Sequence, residues 1–327
     1  MLTMARHRDV ILLTVIVLLT AGCLQDVCGR AVPHHHRRGD RVGRLQNVTL
    51  TNATLSRMAH TGGELSLEGC EIEHFTPALF GLLQRTGCLT LRGGYIPAVT
   101  FHSHTLDTLV IDATGLKTFE IVASAVPYEK LRILHITRTG LERLTGRLAL
   151  LVGLKRLDLS QNQLTHVDLG VLGALIRLRD LDLSVNRIVR LDAPAGLQLP
   201  GLRNLWVSYN RLRAFGAFPG AFPALDTVRL IGNRWHCAWV DRARADIMRH
   251  GITAFGADYD CPAERQGGLC CFDDVPASGE EQSTTVGVVE ESDQSNAGLA
   301  NGDLTLRETN RSTVPIGVRY GNVEIFL

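Results

Sequence analysis

Five side chains that could do acid–base or binding chemistry recur at intervals of 23 or 24 residues. They are a histidine, two aspartates, a tryptophan and an arginine, namely His135, Asp158, Asp182, Trp206 and Arg229. Two carboxylates beside an imidazole could transfer protons. Tryptophan and arginine, by contrast, are enriched at the hot spots of protein interfaces. Either chemistry needs a fold that brings one such residue from each segment to the same surface.

Two further columns of residues accompany this central row. One stands two positions earlier and comprises Ile133, Arg156, Asp180, Asn204 and Thr227; the other stands two positions later and comprises Thr137, Ser160, Ser184, Ser208 and Ile231. In a strand, residues two apart share a face, so all three columns are expected on one surface. We predict a partner-binding surface made of His135, Arg156, Asp158, Asp180, Asp182, Asn204, Trp206 and Arg229. The alternative is a charge ladder that only balances itself.

A sequence repeat supplies the elements that position these residues. LRILHITRTGL (131–141), LKRLDLSQNQL (154–164), LRDLDLSVNRI (178–188), LRNLWVSYNRL (202–212) and LDTVRLIGNRW (225–235) follow the pattern LxxLxLxxNxL, and LDTLVIDATGL (106–116) precedes them. A unit of about 24 residues cannot bury its own apolar side, so neighbours stack around one core. The fold class predicted over residues 44–235 is therefore α/β, a leucine-rich-repeat solenoid (horseshoe) with parallel strands on its concave side.

The asparagine of the repeat is predicted to turn inward after each strand. There its amide can satisfy backbone groups that the bend leaves unpaired. The N-terminal repeats depart from the pattern, because the asparagine position holds Cys70, Gly94, Thr114 and Thr139, and because Leu89 and Leu109 are only 20 residues apart. We expect an irregular, bulged start to the solenoid.

Composition and motifs argue against catalysis and nucleic-acid binding. The formal net charge is +1, aromatic residues make up 6% of the chain, and no dense Lys/Arg stripe occurs. An open concave surface lacks the water-excluding pocket that catalytic groups need. No HExxH, GxSxG, P-loop or CxxC motif is present. We predict a protein that is not an enzyme and that requires no cofactor or metal.

The N-terminus has the order of a secretory signal peptide over residues 1–23. Arg6 and Arg8 precede an apolar run, and small residues follow it. The alternatives are a membrane anchor and lipidation at Cys23. No later segment is apolar for long enough to span a bilayer, so we predict a secreted, extracellular protein. Residues 24–43 form a basic flexible linker.

Secretion makes the eight cysteines candidates for disulfides rather than metal ligands. Cleavage after Cys23 would leave seven, and an odd number suggests a bond to another chain. Cys28, Cys70 and Cys88 are candidates for an N-terminal or an interchain disulfide, the latter giving a disulfide-linked dimer.

The last repeat runs into a predicted cap over residues 236–275. Val240, Ala243, Ile247 and Met248 share one face of a helix, and Gly251 suits its C-cap. Four cysteines, Cys237, Cys261, Cys270 and Cys271, lie within 35 residues around this helix. In our preferred arrangement, the adjacent Cys270 and Cys271 take one bond each to Cys237 and Cys261. The alternative joins Cys237 to Cys261 and leaves the doublet free to bridge another chain.

Beyond the cap, the chain changes character. From residue 272 to residue 327 it carries ten Asp/Glu and three Arg, a net of −7, so residues 1–271 carry about +8. Residues 276–327 are polar and acidic, and we predict that this tail is disordered. N-glycosylation is predicted at the three sequons, Asn47, Asn52 and Asn310.

These features together resemble the leucine-rich immune proteins of mosquitoes. The resemblance covers roughly residues 1–275 and rests on the signal peptide, the repeats, the NRWHC entry to the cap, the DCP segment and the closing LCCFDD. The chain lacks the coiled coil of long family members and so looks like a short, coil-less member. The resemblance implies a role in haemolymph innate immunity, with complement-like thioester proteins or microbial surfaces as partners. The alternative is an extracellular ligand-binding or adhesion module without an immune role.

Overall fold

The computed structural model describes residues 43–47, 49, 54, 58 and 62–273, and two short strands at 317–320 and 323–326. The predicted signal peptide lies outside these residues, as do most of the predicted linker and most of the acidic tail. Within the tail, β19 (Gly317–Tyr320) pairs antiparallel with β20 (Val323–Phe326).

One parallel sheet of ten strands forms the concave side of the molecule. In spatial order its strands are β1 (Gly43–Gln46), β2 (Gly63–Glu68), β4 (Thr86–Arg92), β6 (Thr108–Asp112), β8 (Ile133–Thr137), β9 (Arg156–Asp158), β11 (Asp180–Asp182), β13 (Asn204–Trp206), β14 (Thr227–Arg229) and β16 (Thr253–Ala254). The first leucine of each LxL faces the interior, where Leu157, Leu181 and Leu205 are almost fully buried. The predicted leucine-rich-repeat solenoid is confirmed.

The return segments complete the core on the other side of the molecule. They carry β3 (His74–Phe75), α1 (Pro77–Leu82), β5 (Ala98–Phe101), β7 (Thr118–Ile121), β10 (His166–Asp168) and β12 (Arg190–Asp192), with 3₁₀ turns at Gly146–Leu150 and Leu169–Leu172. Their apolar side chains pack into the same core as the LxL residues. This holds for two return segments in particular, through Leu164, Val167, Leu172 and Leu175 and through Leu212, Phe215, Phe218 and Phe222.

The predicted irregular start is also confirmed. The pairing of β2 with β4 shifts register between Gly63 and Glu64, which is a bulge. At the asparagine position of these early turns, Gly94 lies so close to the preceding turn that a Cβ atom would come within 2.2 Å of the carbonyl oxygen of Cys70. Only glycine fits there, because the added carbon would clash with rigid backbone.

The asparagines of the regular repeats form the predicted inward ladder. Asn186 is representative: its Nδ2 donates to the carbonyl oxygens of Leu159 (2.9 Å) and Leu183 (3.1 Å), and its Oδ1 accepts from the backbone of Leu164 (3.1 Å). The preceding residue always has a positive φ, at Ala113, Arg138, Gln161, Val185, Tyr209 and Gly232. This left-handed residue turns the chain inward and places its own side chain outward.

A disulfide-bonded cap covers the last repeat. The cap comprises β15 (Trp235–His236), α2 (Cys237–His250), β16, β17 (Glu264–Gln266) and β18 (Leu269–Phe272). Gly251 ends the helix in a left-handed conformation, as predicted. The expected helix face is wrong in one residue: Val240, Ala243 and Ile247 are buried, but Met248 is 62% exposed. At spacings of three and four, Met248 falls at the margin of the buried stripe, and nothing in the cap covers it.

The four cap cysteines adopt the preferred arrangement. Cys237 is bonded to Cys271, and Cys261 is bonded to Cys270. The adjacent cysteines can reach opposite partners because they lie in β18, where successive side chains point to opposite faces. Cys271 is bonded to Cys237 at the start of the helix, and Cys270 is bonded to Cys261 in the loop that precedes β17. The cap is thereby fastened at both ends.

Candidate partner-binding site on the concave sheet

The central row lies on adjacent strands in register. His135 pairs with Asp158, Asp158 with Asp182, Asp182 with Trp206, and Trp206 with Arg229. Parallel strands lie about 4.8 Å apart, so these five side chains form one line across the sheet. Val110 continues the line on β6, but it is buried and contributes no surface. We call the five residues from His135 to Arg229 the central row.

The row two positions earlier satisfies its own polar groups. Arg156 Nε donates to Asp180 Oδ2 at 2.9 Å. Asn204 Nδ2 donates to Asp180 Oδ1, and Thr227 Oγ1 donates to Asn204 Oδ1. The four residues Arg156, Asp180, Asn204 and Thr227, which we call the flanking row, are therefore a continuous chain of hydrogen bonds. The alternative expected for the whole concave surface, a ladder of side chains that only pair with one another, is therefore found in the flanking row.

In the row two positions later the expectation of a concave-facing column was wrong for four of its five residues, whereas the fifth, Ile231, is partly exposed. Thr137, Ser160, Ser184 and Ser208 are all buried, with exposures of 2–9%. Ser208 Oγ donates to Ser184 Oγ at 3.0 Å, which shows that the hydroxyls pair beneath the surface. The physical reason is the inward bend. The next residue has a positive φ, so the chain has begun to turn before the serine column is reached.

Unlike the flanking row, the acidic part of the central row is not linked from strand to strand by side-chain hydrogen bonds among the described residues. Asp158 and Asp182 each use one oxygen, Oδ1, to accept the backbone N–H of the serine two positions later, at 2.9 and 2.8 Å. Asp158 Oδ2 lies 3.7 Å from His135 Nδ1, too far for a hydrogen bond. His135 Nδ1 is buried and has no hydrogen-bond partner among the described residues.

Burial shifts the protonation of this group towards neutral forms. It raises the pKa of Asp182 from 3.8 to about 7, with a further increase from the charge of Asp158, while hydrogen bonds from Ser184 and the charge of Arg229 act in the opposite direction. Burial also lowers the pKa of His135, against the influence of Asp158. At neutral pH the carboxyl of Asp182, with its pKa of about 7, is therefore partly protonated, and burial holds the imidazole of His135 towards its neutral form.

The C-terminal half of the central row offers binding groups. Trp206 is partly exposed and Arg229 is exposed. Neither side chain makes a hydrogen bond or ion pair with any residue in the part of the chain that the structure describes. Tyr209, three positions after Trp206, is 43% exposed, and its ring lies over Gly232, where a Cβ would come within 2.5 Å of it. Glycine in the next repeat therefore makes room for an exposed aromatic ring.

A buried charge cluster near the start of the sheet was missed in the sequence. Asp112, at the end of β6, is completely buried. It accepts hydrogen bonds from Arg138 Nε (2.7 Å) and Thr137 Oγ1 (3.1 Å), and Arg92 Nε lies 3.3 Å away. The hydrogen bonds that Arg138 donates to Asp112 raise the pKa of Arg138. The signal that could have revealed it was an aspartate in a column whose next four members are Thr137, Ser160, Ser184 and Ser208.

The cysteines of the N-terminal part lie in three different situations. Cys70 is a free, buried thiol, Cys88 is disulfide-bonded, and Cys28 lies outside the described residues. Among those residues one group has metal-ligand geometry, formed by Cys237, Glu264 and Cys271. Its two sulfurs form a disulfide and so offer no thiolate to a metal.

One of the predicted glycosylation sites can be placed. Asn47 is exposed, directly after β1, and its backbone N–H donates to the carbonyl oxygen of Glu68 at 2.8 Å. Asn52 and Asn310 lie outside the described residues. No helix in the described ranges is both long and apolar enough to cross a membrane.

The sheet, the asparagine ladder and a family match define the class of protein. The model of the leucine-rich repeat family matches residues 129–188 and 152–212. The chain is a leucine-rich-repeat solenoid, a fold that presents a concave sheet to partners.

Comparison with other proteins gives remote structural similarities. A chain of the LRIM1/APL1C complex is 21% identical with a TM-score of 0.49, over 72% of this chain and 51% of that chain. The present chain thus spans about half the length of that protein. The leucine-rich repeat domain of APL1B is 17% identical with a TM-score of 0.49, over 71% of this chain and 73% of that domain. A search among curated sequences finds no match.

Proposed function

We propose that this chain is a secreted, non-catalytic recognition protein that binds protein partners through the central row of its concave sheet. The observation that supports this is the contrast between two adjacent rows. The flanking row satisfies its hydrogen-bonding groups internally. The central row, on the same strands, leaves an imidazole nitrogen, an indole and a guanidinium without partners among the described residues. Protein interfaces are enriched in exposed aromatic and arginine side chains of this kind, which bind groups of the partner.

The same geometry favours binding over catalysis. The imidazole and carboxylate of His135 and Asp158 are 3.7 Å apart, and the row lies on an open sheet rather than in a cleft. General acid–base groups act within hydrogen-bond reach of a substrate held away from water. A partner protein that brings a hydrogen-bond donor could instead bridge Asp158 and Asp182, while its aromatic or acidic residues meet Trp206 and Arg229.

The setting proposed for this binding is innate immunity. Support comes from the resemblance to the mosquito leucine-rich immune proteins, which is carried by the NRWHC entry, the DCP segment and the cysteine doublet. On this resemblance, the chain would recognise complement-like thioester proteins or microbial surfaces. Two disulfides in the cap fit an oxidising, extracellular compartment, and glycans on Asn47, Asn52 and Asn310 would accompany secretion.

The central row can be tested by capture from body fluid on the immobilised full chain. The double variant Trp206→Ala/Arg229→Ala should reduce capture of the partner at least tenfold, since hot-spot truncations cost about 2 kcal/mol or more each. The matched control is Asn204→Ala/Thr227→Ala, which changes the same two strands but only the flanking row. Equal capture by the wild-type chain and the central-row variant would place the binding surface elsewhere.

A second candidate is an extracellular ligand-binding or adhesion module without an immune role. The family match is compatible with this second function, because the matched model describes the leucine-rich repeat and specifies no immune role. Purified thioester protein and whole microbial cells as separate probes discriminate the two. Binding of either one that depends on Trp206 supports the immune role. Binding of neither, with retained capture of another extracellular protein, supports the adhesion module.

A disulfide-linked dimer is a further part of the proposal. All four cap cysteines are bonded within the chain, Cys88 is also bonded and Cys70 is buried. A link to a second chain would therefore have to come from Cys23 or Cys28, which lie outside the described residues. Because Cys88 must also find its partner among these two, a link through Cys28 requires that Cys23 remain in the mature chain. Non-reducing electrophoresis should show a dimer that Cys28→Ser abolishes. A single monomeric band from the wild-type chain would refute the covalent dimer.

A further inference from the structure

Three arginines occupy equivalent positions in successive repeats, at the edge where the concave strands end. Arg187, Arg211 and Arg234 each follow a ladder asparagine, in successive repeats. Their backbone N–H groups donate to the preceding turn in the same way, to the carbonyl oxygens of Leu164 (2.9 Å), Ile188 (2.9 Å) and Leu212 (3.0 Å). The equivalent bonds hold the three residues in register. We call Arg187, Arg211 and Arg234 the arginine edge.

The charges of this edge are uncompensated in the part of the chain that the structure describes. All three side chains are exposed, and none of the guanidinium groups bonds to a described residue. On the opposite edge of the sheet part of the charge is compensated, because Arg132 pairs with Asp107 at 3.1 Å and Arg203 with Asp226 at 2.8 Å, whereas Lys155 and Arg179 are exposed. Like charges on neighbouring strands repel one another, so the arginine edge favours an extended polyanion along it.

A polyanion follows immediately in the same chain. Between positions 274 and 303 stand seven Asp/Glu residues and no Lys or Arg. Five of the acids fall in two clusters, Glu280-Glu281 and Glu290-Glu291-Ser292-Asp293. The segment thus carries charge opposite to that of the edge, in groups that could each meet more than one guanidinium.

The chain leaves the cap beside this edge. Phe272, in β18, lies in register with His236 of β15, and the N–H of His236 donates to the carbonyl oxygen of Arg213 at 2.8 Å. Arg234 is two residues before His236, and the other two arginines are one and two repeats further along. At about 4.8 Å per repeat and about 3.4 Å per residue, the whole edge lies within roughly 20 Å of Asp273.

The acidic segment is long enough to cover that distance. Glu280 lies seven positions after Asp273, and an extended chain over seven residue steps spans up to about 25 Å. Pro276 and Gly279 fall within this stretch and suit the turn that would direct the chain back along the edge. Because the segment is covalently attached, its effective concentration at the edge is in the millimolar range, well above that of a free polyanion.

We propose that the acidic segment 274–293 docks along the arginine edge. Glu280 and Glu281 pair with the guanidinium groups nearest the cap, and the second cluster extends the contact. Tyr209 is two residues before Arg211, so the docked segment borders the exposed aromatic end of the central row. It would then form one rim of the concave surface and would be released by high salt.

A zero-length cross-link can locate the segment in the full chain. The chain has only three lysines, Lys117, Lys130 and Lys155, so an added amine is easy to distinguish. The Arg211→Lys variant, treated with a water-soluble carbodiimide, should form amide links from position 211 to peptides that contain Glu280, Glu281 or the second cluster. Mass spectrometry of proteolytic fragments identifies them. The matched control is Arg179→Lys, an exposed arginine on the opposite edge of the sheet.

The expected result is at least threefold more tail cross-linking from position 211 than from position 179 in dilute buffer, with this difference lost in 0.5 M salt. Equal yields at both positions, or no tail cross-link at position 211, would overturn the proposal.

A charge-reversal pair gives an independent readout. In Arg187→Glu/Arg211→Glu, cleavage of the full chain after Glu281 by a Glu-specific protease should become at least threefold faster than in the wild type. Lys155→Glu/Arg179→Glu makes the same charge change on the opposite edge and should leave the rate unchanged. Equal acceleration in both variants would overturn the docking. So would arginine-edge-dependent binding of heparin by the wild-type chain in dilute buffer, since the edge would then be open to an external polyanion.

Discussion

Replacing Asp182 by asparagine should stabilise the protein at and above neutral pH, although it changes a buried polar residue. In the folded chain, burial and the nearby charge of Asp158 raise the pKa of Asp182 to about 7, against 3.8 for an ordinary aspartate. The folded state therefore holds this proton over a pH range where the unfolded state has lost it. The contribution of Asp182 to the free energy of unfolding must then fall as pH rises from about 4 to about 7.

The magnitude follows from the size of the shift. About three pKa units correspond to about 4 kcal/mol at 1.36 kcal/mol per unit. Part of that energy comes from the repulsion between Asp182 and Asp158, so we expect the substitution to raise the free energy of unfolding by about 2–4 kcal/mol. The substitution keeps the local hydrogen bond, because the amide oxygen of the Asp182→Asn variant can still accept the N–H of Ser184, as the carboxylate does at 2.8 Å. Its amide nitrogen can donate towards Asp158.

The assay is urea unfolding of the oxidised chain at half-unit steps from pH 4 to pH 8. The Asp182→Asn variant should be more stable than the wild type by about 2–4 kcal/mol at pH 8, and the two curves should converge near pH 4. The matched control is Asp180→Asn on the same strand, which removes the ion pair with Arg156 and should bring no gain at any pH. Wild-type and Asp182→Asn profiles that run parallel between pH 4 and pH 8 would refute the reasoning.

Two further predictions concern the frame that holds the rows. Asn186→Ala should lower the free energy of unfolding in urea by about 2–4 kcal/mol, because it leaves several buried backbone groups of two turns unsatisfied. A loss below about 1 kcal/mol, comparable to that of a surface substitution, would contradict the role of the asparagine ladder. Replacing both Cys237 and Cys271 by serine should cost about 4 kcal/mol in the chain-entropy model, and replacing both Cys261 and Cys270 about 2.5 kcal/mol, since the bonds close 34 and 9 residues. The reverse order in thermal unfolding would show that native-state contacts, rather than loop closure, set the contribution of each bond.

Much of the fold could be predicted because the repeat constrains it in several ways at once. The LxL spacing assigns one face of each strand to the core, and six copies in phase leave only stacking as a way to bury that face. An asparagine that follows each strand can hydrogen-bond the backbone groups left unpaired at the bend, and in the structure Asn186 makes these bonds. The adjacent cysteines follow the same logic, because alternation in β18 sends Cys270 and Cys271 to different partners.

The site itself could be predicted only in part. Alternation indicates that Asp180 and Asp182 share a face, but it does not tell which of them has a partner. That depends on what lies across the neighbouring strands: Arg156 and Asn204 reach Asp180, whereas Asp182 has Asp158 beside it. Two aspartates in one strand therefore differ in ionisation, although the local sequence treats them alike.

The sequence by itself determined the solenoid, the order of its rows and the position of the cap, because each follows from periodicity and local backbone preference. Only the tertiary structure decided which polar groups are paired. It buried Ser184 and Ser208 below the surface, enclosed Asp112 with Arg138, and left Trp206, Arg229 and the arginine edge without hydrogen bonds or ion pairs to the described residues. The physical reason is that pairing depends on contacts between residues about 24 positions apart, across strands whose register and bends are set by the whole stack.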